Sequence, residues 1–395
     1  MRASGLEATA IHPLPTRQSS RSISARRVVG AFVAITVVLV VAVWAASAIG
    51  PRGEDTLRPV VPGQSVLGGW LGYDGAWYVD IADHGYFFSP GEQSSVAFFP
   101  AYPMVVHVVG APFDSTPLAA LLVSVVSGLA AVMLFWRWAR VRLLPREAGT
   151  AVALLLVYPY AWFLHGAAYA DGLFLAATLA AFVLAERGSY GLAGLAGTVA
   201  TAARPVGIAV LVGLVVLVVA RRRARGERLR FRDLRVLSAG GGLVLWCGYL
   251  WLRFGDPLAF VSVQAAPGWD QGAGPRTWLK VSFLQQLLNG DPWFAARLVV
   301  QAALAVAFLA LVPTVIRRFG WAYGAYTIIV IGIPLIGSGD FQGMGRYLLA
   351  AFPVFGAAGA ALAERPLWIT SALSSASAML LIALTFLFAR GFYLT

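Results

Sequence analysis

Apolar segments of about 20 residues recur from residue 28 to residue 389, and this feature most limits what the chain can fold into. A helix needs about 20 mostly apolar residues to cross the hydrocarbon core of a bilayer. Hydrophobic residues make up 59% of the 395 residues and charged residues only 12%, more apolar surface than a water-soluble fold could bury. The sequence therefore predicts one all-α integral membrane domain, residues 28–395, after a polar, disordered cytoplasmic tail, residues 1–27.

Eleven transmembrane helices account for the apolar segments. The stretch 190–220 is too long for one ordinary span, and we divide it at Arg204-Pro205 because proline ends or kinks a helix. The longest segment between spans, 50–116, is interpreted as an outer loop. The predicted spans are 28–49, 117–136, 148–165, 171–185, 190–203, 205–220, 236–252, 296–316, 321–336, 347–363 and 367–389.

Basic residues collect on one side of this topology. About 21 of the 30 Lys and Arg residues fall on the same side as the N-terminus, and such residues mark the cytoplasmic side of short loops. The distribution predicts a cytoplasmic N-terminus and an extracytoplasmic loop 50–116. Most Asp and Glu residues fall on the outer side, which indicates that the outer face is the functional one. Membrane orientation thus accounts for the net charge of +12, and no nucleic-acid partner is expected.

The usual nucleotide, dinucleotide and zinc-binding motifs are missing from the sequence. Its one cysteine, Cys247, has no second cysteine with which to form a disulfide or a thiolate metal site. His84, among scattered Asp residues, lacks a recognisable metal-ligand geometry. The sequence therefore assigns no metal ligand and no certain cofactor, and it leaves a divalent metal open. Any group that is transferred has to arrive in another activated form.

The outer-loop segment YDGAWYVDIADHGY predicts a helix that lies along the membrane surface. Asp74 stands at or near its N-cap, and Gly85 ends it. Asp80 and His84 share one face at a spacing of four residues, and we expect the polar side of the helix, which also carries Asp83, to turn toward a cleft.

Each of these carboxylates also has a structural explanation. Asp is a favourable N-cap by about 1 kcal/mol, so Asp74 could cap the helix without taking part in chemistry. Asp80 and Asp83 could be solvated surface carboxylates. Trp77 and Tyr78 fall on the apolar face of the same helix.

Six motifs, taken together, resemble one family. In chain order they are DGAWY from Asp74, FFPAYP from Phe98, YADGLF from Tyr169, ARPVG from Ala203, FGDPLAF from Phe254 and RYLLAAFP from Arg346. They are similar to motifs of the mannosyltransferase family that includes the second mannosyltransferase of GPI-anchor assembly and its bacterial relatives (PIG-V-like), and they cover most of the chain. Tyr73 stands where the family usually has Trp, and Asp171 where it usually has Glu.

This resemblance implies a GT-C fold with surface helices in a long first outer loop. It also implies a polyprenyl-phosphate sugar donor, such as polyprenyl-phosphate mannose, and an essential Asp in that loop. An inverting displacement needs a carboxylate to take the proton of the acceptor hydroxyl, and cations to receive the phosphate leaving group. We predict that Asp74 is the base. The predicted substrate-binding residues are Asp80, Asp83, His84, Tyr102, Asp171, Arg204 and Arg346.

Arg204 and Arg346 stand at the outer ends of predicted helices, where a guanidinium could bind two phosphate oxygens. The alternative for both is an arginine at a membrane end that extends to water. The Gly-rich segment 339–345 before Arg346 is either a mobile loop over the cleft or a turn.

Together, these features predict a membrane glycosyltransferase that acts on the outer face of a lipid bilayer. A polytopic transporter or lipid-linked sugar flippase is the alternative from another class, since such proteins share this composition but place their ionisable groups within the spans. A third interpretation is an O-antigen ligase or polymerase, which also transfers a glycosyl group on the extracytoplasmic side. The acceptor, a glycolipid or another glycan, is not named by the sequence.

Overall fold

The computed structural model describes residues 23–49, 68–269, 271–272 and 274–394. The predicted tail as far as residue 22 and the first part of the predicted outer loop, residues 50–67, lie outside the described residues. The first helix begins at Ala25, so the last residues of the predicted tail are helical. All regular structure in the described residues is helical, which confirms the predicted all-α class.

Eighteen α-helices lie in the described residues. The first nine are α1 (Ala25–Ile49), α2 (Asp74–His84), α3 (Ala101–Gly110), α4 (Thr116–Arg142), α5 (Pro145–Leu156), α6 (Trp162–His165), α7 (Asp171–Glu186), α8 (Tyr190–Ala203) and α9 (Ile208–Ala224). The others are α10 (Gly241–Phe254), α11 (Ala259–Ser262), α12 (Pro275–Trp278), α13 (Val281–Asn289), α14 (Pro292–Phe319), α15 (Trp321–Gly337), α16 (Met344–Tyr347), α17 (Phe352–Ala363) and α18 (Leu367–Ala389). Short 3-10 helices lie at Gly68–Trp70, Ser95–Ala97, Pro205–Gly207, Phe231–Gly240, Val263–Ala265 and Leu348–Ala350.

The helices have the length and apolar character of a multi-pass membrane protein. Four of the eleven predicted spans fall on shorter helices: α5, α7, α8 and α15 have 12, 16, 14 and 17 residues. At 1.5 Å per residue they fall short of the roughly 30 Å of bilayer hydrocarbon, so the predicted count of eleven is not confirmed. Met344–Ala350 and Phe352–Ala363 are bent by 85° and together could make a seventh span. The six segments of the described residues long enough to cross alone are Ala25–Ile49, Thr116–Arg142, Pro205–Ala224, Phe231–Phe254, Pro292–Phe319 and Leu367–Ala389.

Proline explains two of the helix boundaries. The predicted break at Arg204-Pro205 is confirmed: Arg204 has extended backbone, with φ −154° and ψ 147°, between α8 and the next 3-10 turn. A residue before proline is driven out of the helical region by the proline ring. The prediction of one continuous span at 148–165 is wrong, because α5 ends at Leu156 and α6 begins only at Trp162. Pro159 lies in this gap and accounts for it in the same way.

Small residues let α4 pack closely on α6 and α7. A Cβ atom at Gly128 would lie 1.8 Å from the carbonyl oxygen of Leu164, and one at Gly172 would lie 2.8 Å from Ser127 Oγ. Close approach at small residues is a common mode of helix association in membranes. This crossing fixes the start of α7, whose first residue is Asp171.

Candidate active site

A cavity of about 600 Å³ lies at one end of the bundle and is of the size of ligand-binding pockets. Three segments that are distant in the sequence form much of its wall: the segment around α2, the connection from α11 to α13, and the Gly-rich segment before α16. The end of α8 with the following turn, the end of α15 and Tyr393 also line it. The lining side chains include Asp74, Tyr78, Phe98, Arg204, Trp269, Asp340, Arg346 and Tyr347.

Asp74 and Arg346 form an ion pair in this cavity. Arg346 Nη1 donates a hydrogen bond of 2.5 Å to Asp74 Oδ2. The side chains are only 21% exposed for Asp74 and 11% exposed for Arg346, so the pair is largely shielded from water but accessible from the cavity. The tertiary fold joins residues from opposite ends of the chain, which are the first residues of the DGAWY and RYLLAAFP motifs.

The backbone before Asp74 is fastened to the segment before α7. Tyr169 Oη donates to Gly72 O at 3.1 Å, and Ala168 N donates to Trp70 O at 3.0 Å. Tyr73 has a φ of 58°, a region that a bulky residue rarely adopts and that often occurs near functional sites. Asp74 is therefore held at a fixed place and angle on the cavity wall.

Asp74 does not act as a side-chain cap. It is the first residue of α2, the preceding residue Tyr73 occupies the N-cap position, and no side-chain capping bond forms there. The predicted end at Gly85 is confirmed, since Gly85 has a φ of 83° and its N–H donates to Ile81 O. The capping explanation of Asp74 is thus replaced by its contact with Arg346.

The backbone of Gly345 fixes Arg346 in place. Gly345 N donates to Gln301 Oε1 at 3.1 Å, and Gly345 O accepts from Tyr158 Oη at 2.9 Å. A Cβ atom at this position would lie 2.3 Å from the Tyr160 ring, so only glycine fits. Tyr158 and Gln301 therefore position the arginine without lining the cavity.

The Arg346 guanidinium retains an unused hydrogen-bond donor. Its Nε is buried and has no partner among the described residues, although buried donors are normally paired. The group also lies 5.1 Å from the ring centroids of Tyr169 and Tyr347 and 5.6 Å from that of Phe163. Aromatic faces stabilise a guanidinium without using its N–H groups. Arg346 can therefore hold an anion in addition to Asp74.

Arg204 and Asp171 form a second ion pair close to the first. Arg204 Nη1 donates to Asp171 Oδ1, and both side chains are buried. The Tyr347 ring lies 5.1 Å from the guanidinium carbons of both Arg204 and Arg346, so one aromatic ring connects the two cations. Arg204 lines the cavity, whereas Asp171 lies behind it as the partner of Arg204.

The other acidic residues of α2 lie elsewhere. His84 Nδ1 is 2.9 Å from Asp80 Oδ1, which confirms their shared face, but the two side chains are 75% and 50% exposed and line neither cavity. The expected turn of this polar face toward the cleft is therefore not observed, because α2 presents Asp74 and Tyr78 to it instead. Asp83 accepts a hydrogen bond from Thr116 Oγ1. Roles for Asp80, Asp83 and His84 in substrate binding remain predictions.

Tyr102 supports the cavity wall from behind. Its ring is buried 5.0 Å from that of Tyr78, and its hydroxyl lies 2.8 Å from both Ala120 O and Ser124 Oγ. Tyr102 does not line the cavity, so a direct role in substrate binding also remains a prediction.

Several cavity residues were not singled out from the sequence. Tyr78 was assigned only to the apolar face of α2, although its position four residues after Asp74 puts both on one side of a helix. Burial and the negative charge of Asp74 raise the pKa of Tyr78 above its usual range, so its phenol stays protonated near neutral pH. Trp269 and Asp340 come from distant loops, and no spacing signal in the sequence connects them with Asp74.

A second, mostly apolar groove of about 610 Å³ lies on the other side of α2. Asp83 and His107 are among its few polar residues, and His107 Nδ1 lies 2.7 Å from Ala82 O. The described ranges hold no group of three or more His, Cys, Asp or Glu side chains that could bind a metal ion.

Comparison with known proteins identifies the fold. No protein-family model and no curated protein sequence matches this chain. ArnT from Cupriavidus metallidurans bound to undecaprenyl phosphate has a similar structure, with a TM-score of 0.52 and 18% identity over 89% of this chain and 62% of that chain. The GT-C fold predicted from the sequence is thereby confirmed.

Two further solved structures have TM-scores below 0.5. The apo ArnT of the same organism matches at 0.47, with 18% identity over 87% of this chain and 61% of that one. The apo oligosaccharyltransferase of Archaeoglobus fulgidus matches at 0.45, with 15% identity over 91% of this chain and 55% of that one. The chain thus spans less than two thirds of the length of each of these proteins. The finer resemblance to PIG-V-like mannosyltransferases stays a prediction.

Proposed function

We propose that this protein is a membrane glycosyltransferase that moves a sugar, expected to be mannose, from a polyprenyl phosphate to an extracytoplasmic acceptor. The observation that carries the proposal is the Asp74–Arg346 pair on the wall of the cavity. It combines a carboxylate that can accept a proton with a guanidinium that retains a free donor for an anion. A sugar transfer from a lipid phosphate needs both groups in one place.

Asp74 is the general base in this proposal. Its Oδ1 has no hydrogen-bond partner in the part of the chain that the structure describes, while Oδ2 is held by Arg346. The free oxygen would take the proton of the acceptor hydroxyl as that oxygen forms its bond to the anomeric carbon. The bond from this carbon to the phosphate oxygen breaks at the same time, and the electron pair leaves with the polyprenyl phosphate. The displacement inverts the configuration at the anomeric carbon.

Arg346 and Arg204 would receive the leaving phosphate. A guanidinium can bind two phosphate oxygens at once, and the unpaired Nε of Arg346 offers such a donor without breaking another contact. Phosphate bound there would offset part of the positive charge that Arg346 presents to Asp74, and a carboxylate that is less stabilised by a nearby cation is a stronger base. Donor binding would in this way activate Asp74.

The lipid part of the donor has separate support. The similar ArnT structure is described as bound to undecaprenyl phosphate, which makes a polyprenyl phosphate the first donor to test. Its sugar is expected to be mannose from the family resemblance of the six motifs. The acceptor is a glycolipid or another glycan.

The direct test uses the full-length protein reconstituted in lipid, with radiolabelled polyprenyl-phosphate mannose and a lipid extract as acceptor. We expect a labelled product whose anomeric configuration is opposite to that of the donor, and at least about 100-fold slower product formation by an Asp74→Asn variant of equal expression. Donors that carry glucose or galactose test the choice of sugar. If the wild-type protein transfers no sugar but moves labelled lipid across the vesicle bilayer, the transporter alternative is correct and the enzyme proposal fails.

The acceptor can be sought in cells. Lipid-linked and cell-wall glycans of a deletion strain would be compared with those of its parent. A glycan that is shortened by one sugar in the deletion strain, and restored by the wild-type gene but not by Asp74→Asn, identifies the acceptor.

A further inference from the structure

Asp340 places a second acidic side chain on the cavity wall, apart from both ion pairs. It follows Gly339 in the Gly-rich segment before α16 and is half-buried. Asp340 Oδ1 accepts a hydrogen bond of 2.8 Å from Gln342 N. Its Oδ2 has no partner within residues 23–49, 68–269, 271–272 and 274–394. Half of this carboxylate thus holds the turn, and the other half is available to a ligand.

The one lysine of the chain, Lys280, stabilises the turn that carries Asp340 by hydrogen bonds to its backbone carbonyls. Lys280 Nζ donates to Leu335 O at 2.5 Å, to Ser338 O at 2.6 Å and to Asp340 O at 3.1 Å. Ser338 Oγ donates to the same Asp340 carbonyl at 2.6 Å. These contacts hold the backbone at Asp340 without using Oδ2 of its carboxylate.

Burial without a cationic side-chain contact changes the chemistry of this carboxylate. Burial raises the pKa of Asp340, with the Gln342 N–H and the charge of Lys280 acting in the opposite direction. A partly desolvated carboxylate gains more from a hydrogen-bond donor than an exposed one does. A neutral hydroxyl is a suitable donor for such a site, since it satisfies the oxygen without adding a second charge.

Trp269 offers an apolar surface in the same cavity. Its ring packs 6.0 Å from Trp77 and 5.9 Å from Phe98, and these contacts fix its orientation. Aromatic rings combine a large apolar face with a rigid shape, which suits the C–H face of a pyranose. A carboxylate and a fixed indole together present the two surfaces that a sugar ring has, its hydroxyl edge and its apolar face.

We propose that Asp340 and Trp269 form the subsite for the transferred sugar, with Asp340 Oδ2 accepting hydrogen bonds from sugar hydroxyls. This inference rests on the proposed function and assigns the sugar and the phosphate of the donor to different parts of the cavity. Arg346 and Arg204 bind the phosphate, and Asp340 binds the sugar. Asp340 is therefore a determinant of sugar specificity and does not take the acceptor proton.

The test is Asp340→Asn, because Asn retains the oxygen that accepts the Gln342 N–H and so keeps the turn. Two affinities are measured for the reconstituted protein, one for polyprenyl-phosphate mannose and one for polyprenyl phosphate without sugar. A hydrogen bond to a charged group contributes about a 10-fold to 100-fold change in affinity, so we expect a loss of that size for the sugar-bearing lipid. Binding of the sugar-free lipid should stay the same.

Asp256 provides a matched control. Its Oδ1 accepts from Leu258 N at 2.8 Å, the same two-residue turn as that of Asp340, but it lines neither cavity. Asp256→Asn should change neither affinity. Trp269→Ala should weaken the binding of the sugar-bearing lipid only. Trp269→Phe should keep part of that affinity, because it retains an aromatic face.

An equal loss of affinity for both lipids in Asp340→Asn would contradict the proposed sugar subsite, since it would indicate damage to the phosphate site or to the fold. Unchanged affinity for both lipids would also overturn it. These outcomes are separate from failure of the proposed function. If the wild-type protein transfers mannose and Asp340→Asn matches it, only the sugar subsite is wrong; if the wild-type protein neither binds nor transfers a lipid-linked sugar, the proposed function itself fails.

Discussion

The two ends of the helical bundle use arginine in different ways. At the end opposite the cavity, Arg222 directs Nε and Nη2 at the two oxygens of Asp233, at 2.8 and 2.7 Å, and Nη1 at Glu227. At the cavity end, Arg346 donates to Asp74 through Nη1 and leaves Nε unpaired. The first arginine has its donors occupied by the protein, and the second keeps a donor for something else.

The carboxylates differ in the same sense. Glu186 accepts from Arg142 and from Tyr323 Oη, and Glu147 accepts from Arg318 Nη2 at 2.9 Å and from Leu144 N at 3.0 Å. Asp74 has Arg346 as its side-chain partner through one oxygen only. Charged groups that hold helices together are saturated with protein contacts, whereas those in the cavity are paired but not saturated. Incomplete pairing in a cavity is thus a better indication of chemistry than ionic pairing itself.

Labelling of intact cells tests which end of the helical bundle faces the outside. We expect an all-or-none difference in labelling between cysteines placed at the two ends. Glu92, in the predicted outer loop, and Arg228, after α9, are both exposed. In a Cys247→Ala background, Glu92→Cys should react with a membrane-impermeant thiol reagent on intact cells, and Arg228→Cys should react only after permeabilisation. Labelling of Arg228→Cys alone on intact cells would reverse the orientation predicted from the arginines.

The next largest effect is expected for the base. Asp74→Asn keeps an oxygen for the Arg346 N–H but cannot take a proton, so the rate of sugar transfer should fall by about 10² to 10⁴-fold. Asp80→Asn and Asp83→Asn serve for comparison, because they change exposed carboxylates on the same helix, and they should lower the rate less than Asp74→Asn does. Near wild-type transfer by Asp74→Asn, together with a loss in one of the other two variants, would move the base to that carboxylate.

Arg346→Lys is expected to have a smaller effect that concerns mainly the donor. Lysine keeps the charge for Asp74 but has no fork to bind phosphate through two nitrogens. The KM for the polyprenyl-phosphate sugar should rise by about 10-fold or more. Arg318→Lys, at the Glu147 pair, should leave the KM unchanged. Equal kinetics for the two variants and the wild-type enzyme would reduce Arg346 to a structural ion pair.

The smallest effect on catalysis is expected at the saturated end. Asp233→Asn removes the carboxylate charge that Arg222 meets through Nε and Nη2, so only Glu227 remains as its counter-ion. The variant should therefore lower the thermal midpoint of the protein in detergent, because the charge of a buried cation is then less completely compensated. The kcat/KM of the folded enzyme should stay near that of the wild type, the reverse of the pattern for Asp74→Asn. A selective loss of activity without loss of stability would show that the two ends are coupled in catalysis.

Much of the fold could be predicted because the bilayer core offers no hydrogen-bond partners to the backbone and so permits few structures. Apolar segments of about 20 residues were expected to be helical, because backbone N–H and C=O groups in lipid must be paired within the protein and a helix of this length pairs them and spans the bilayer. Proline at position 205 fixed the break beside Arg204, and the motifs from Asp74 and Arg346 led to the GT-C fold that the comparison with ArnT confirms. The continuous span at 148–165 was predicted wrongly because the apolar character continues through Pro159 while the helix does not.

By itself, the sequence determined the membrane class of the protein, the break at Arg204, the helix that begins at Asp74 and the candidacy of Arg346, all of which follow from local composition and spacing. Only the tertiary structure decided that Asp74 and Arg346 meet and that Asp80 and His84 face away from the cavity. It alone brought Asp340 and Trp269 to the same cavity. The physical reason is that helical periodicity relates residues three or four positions apart, whereas contacts between distant helices are fixed by packing, as at Gly345, where Tyr160 leaves no room for a side chain.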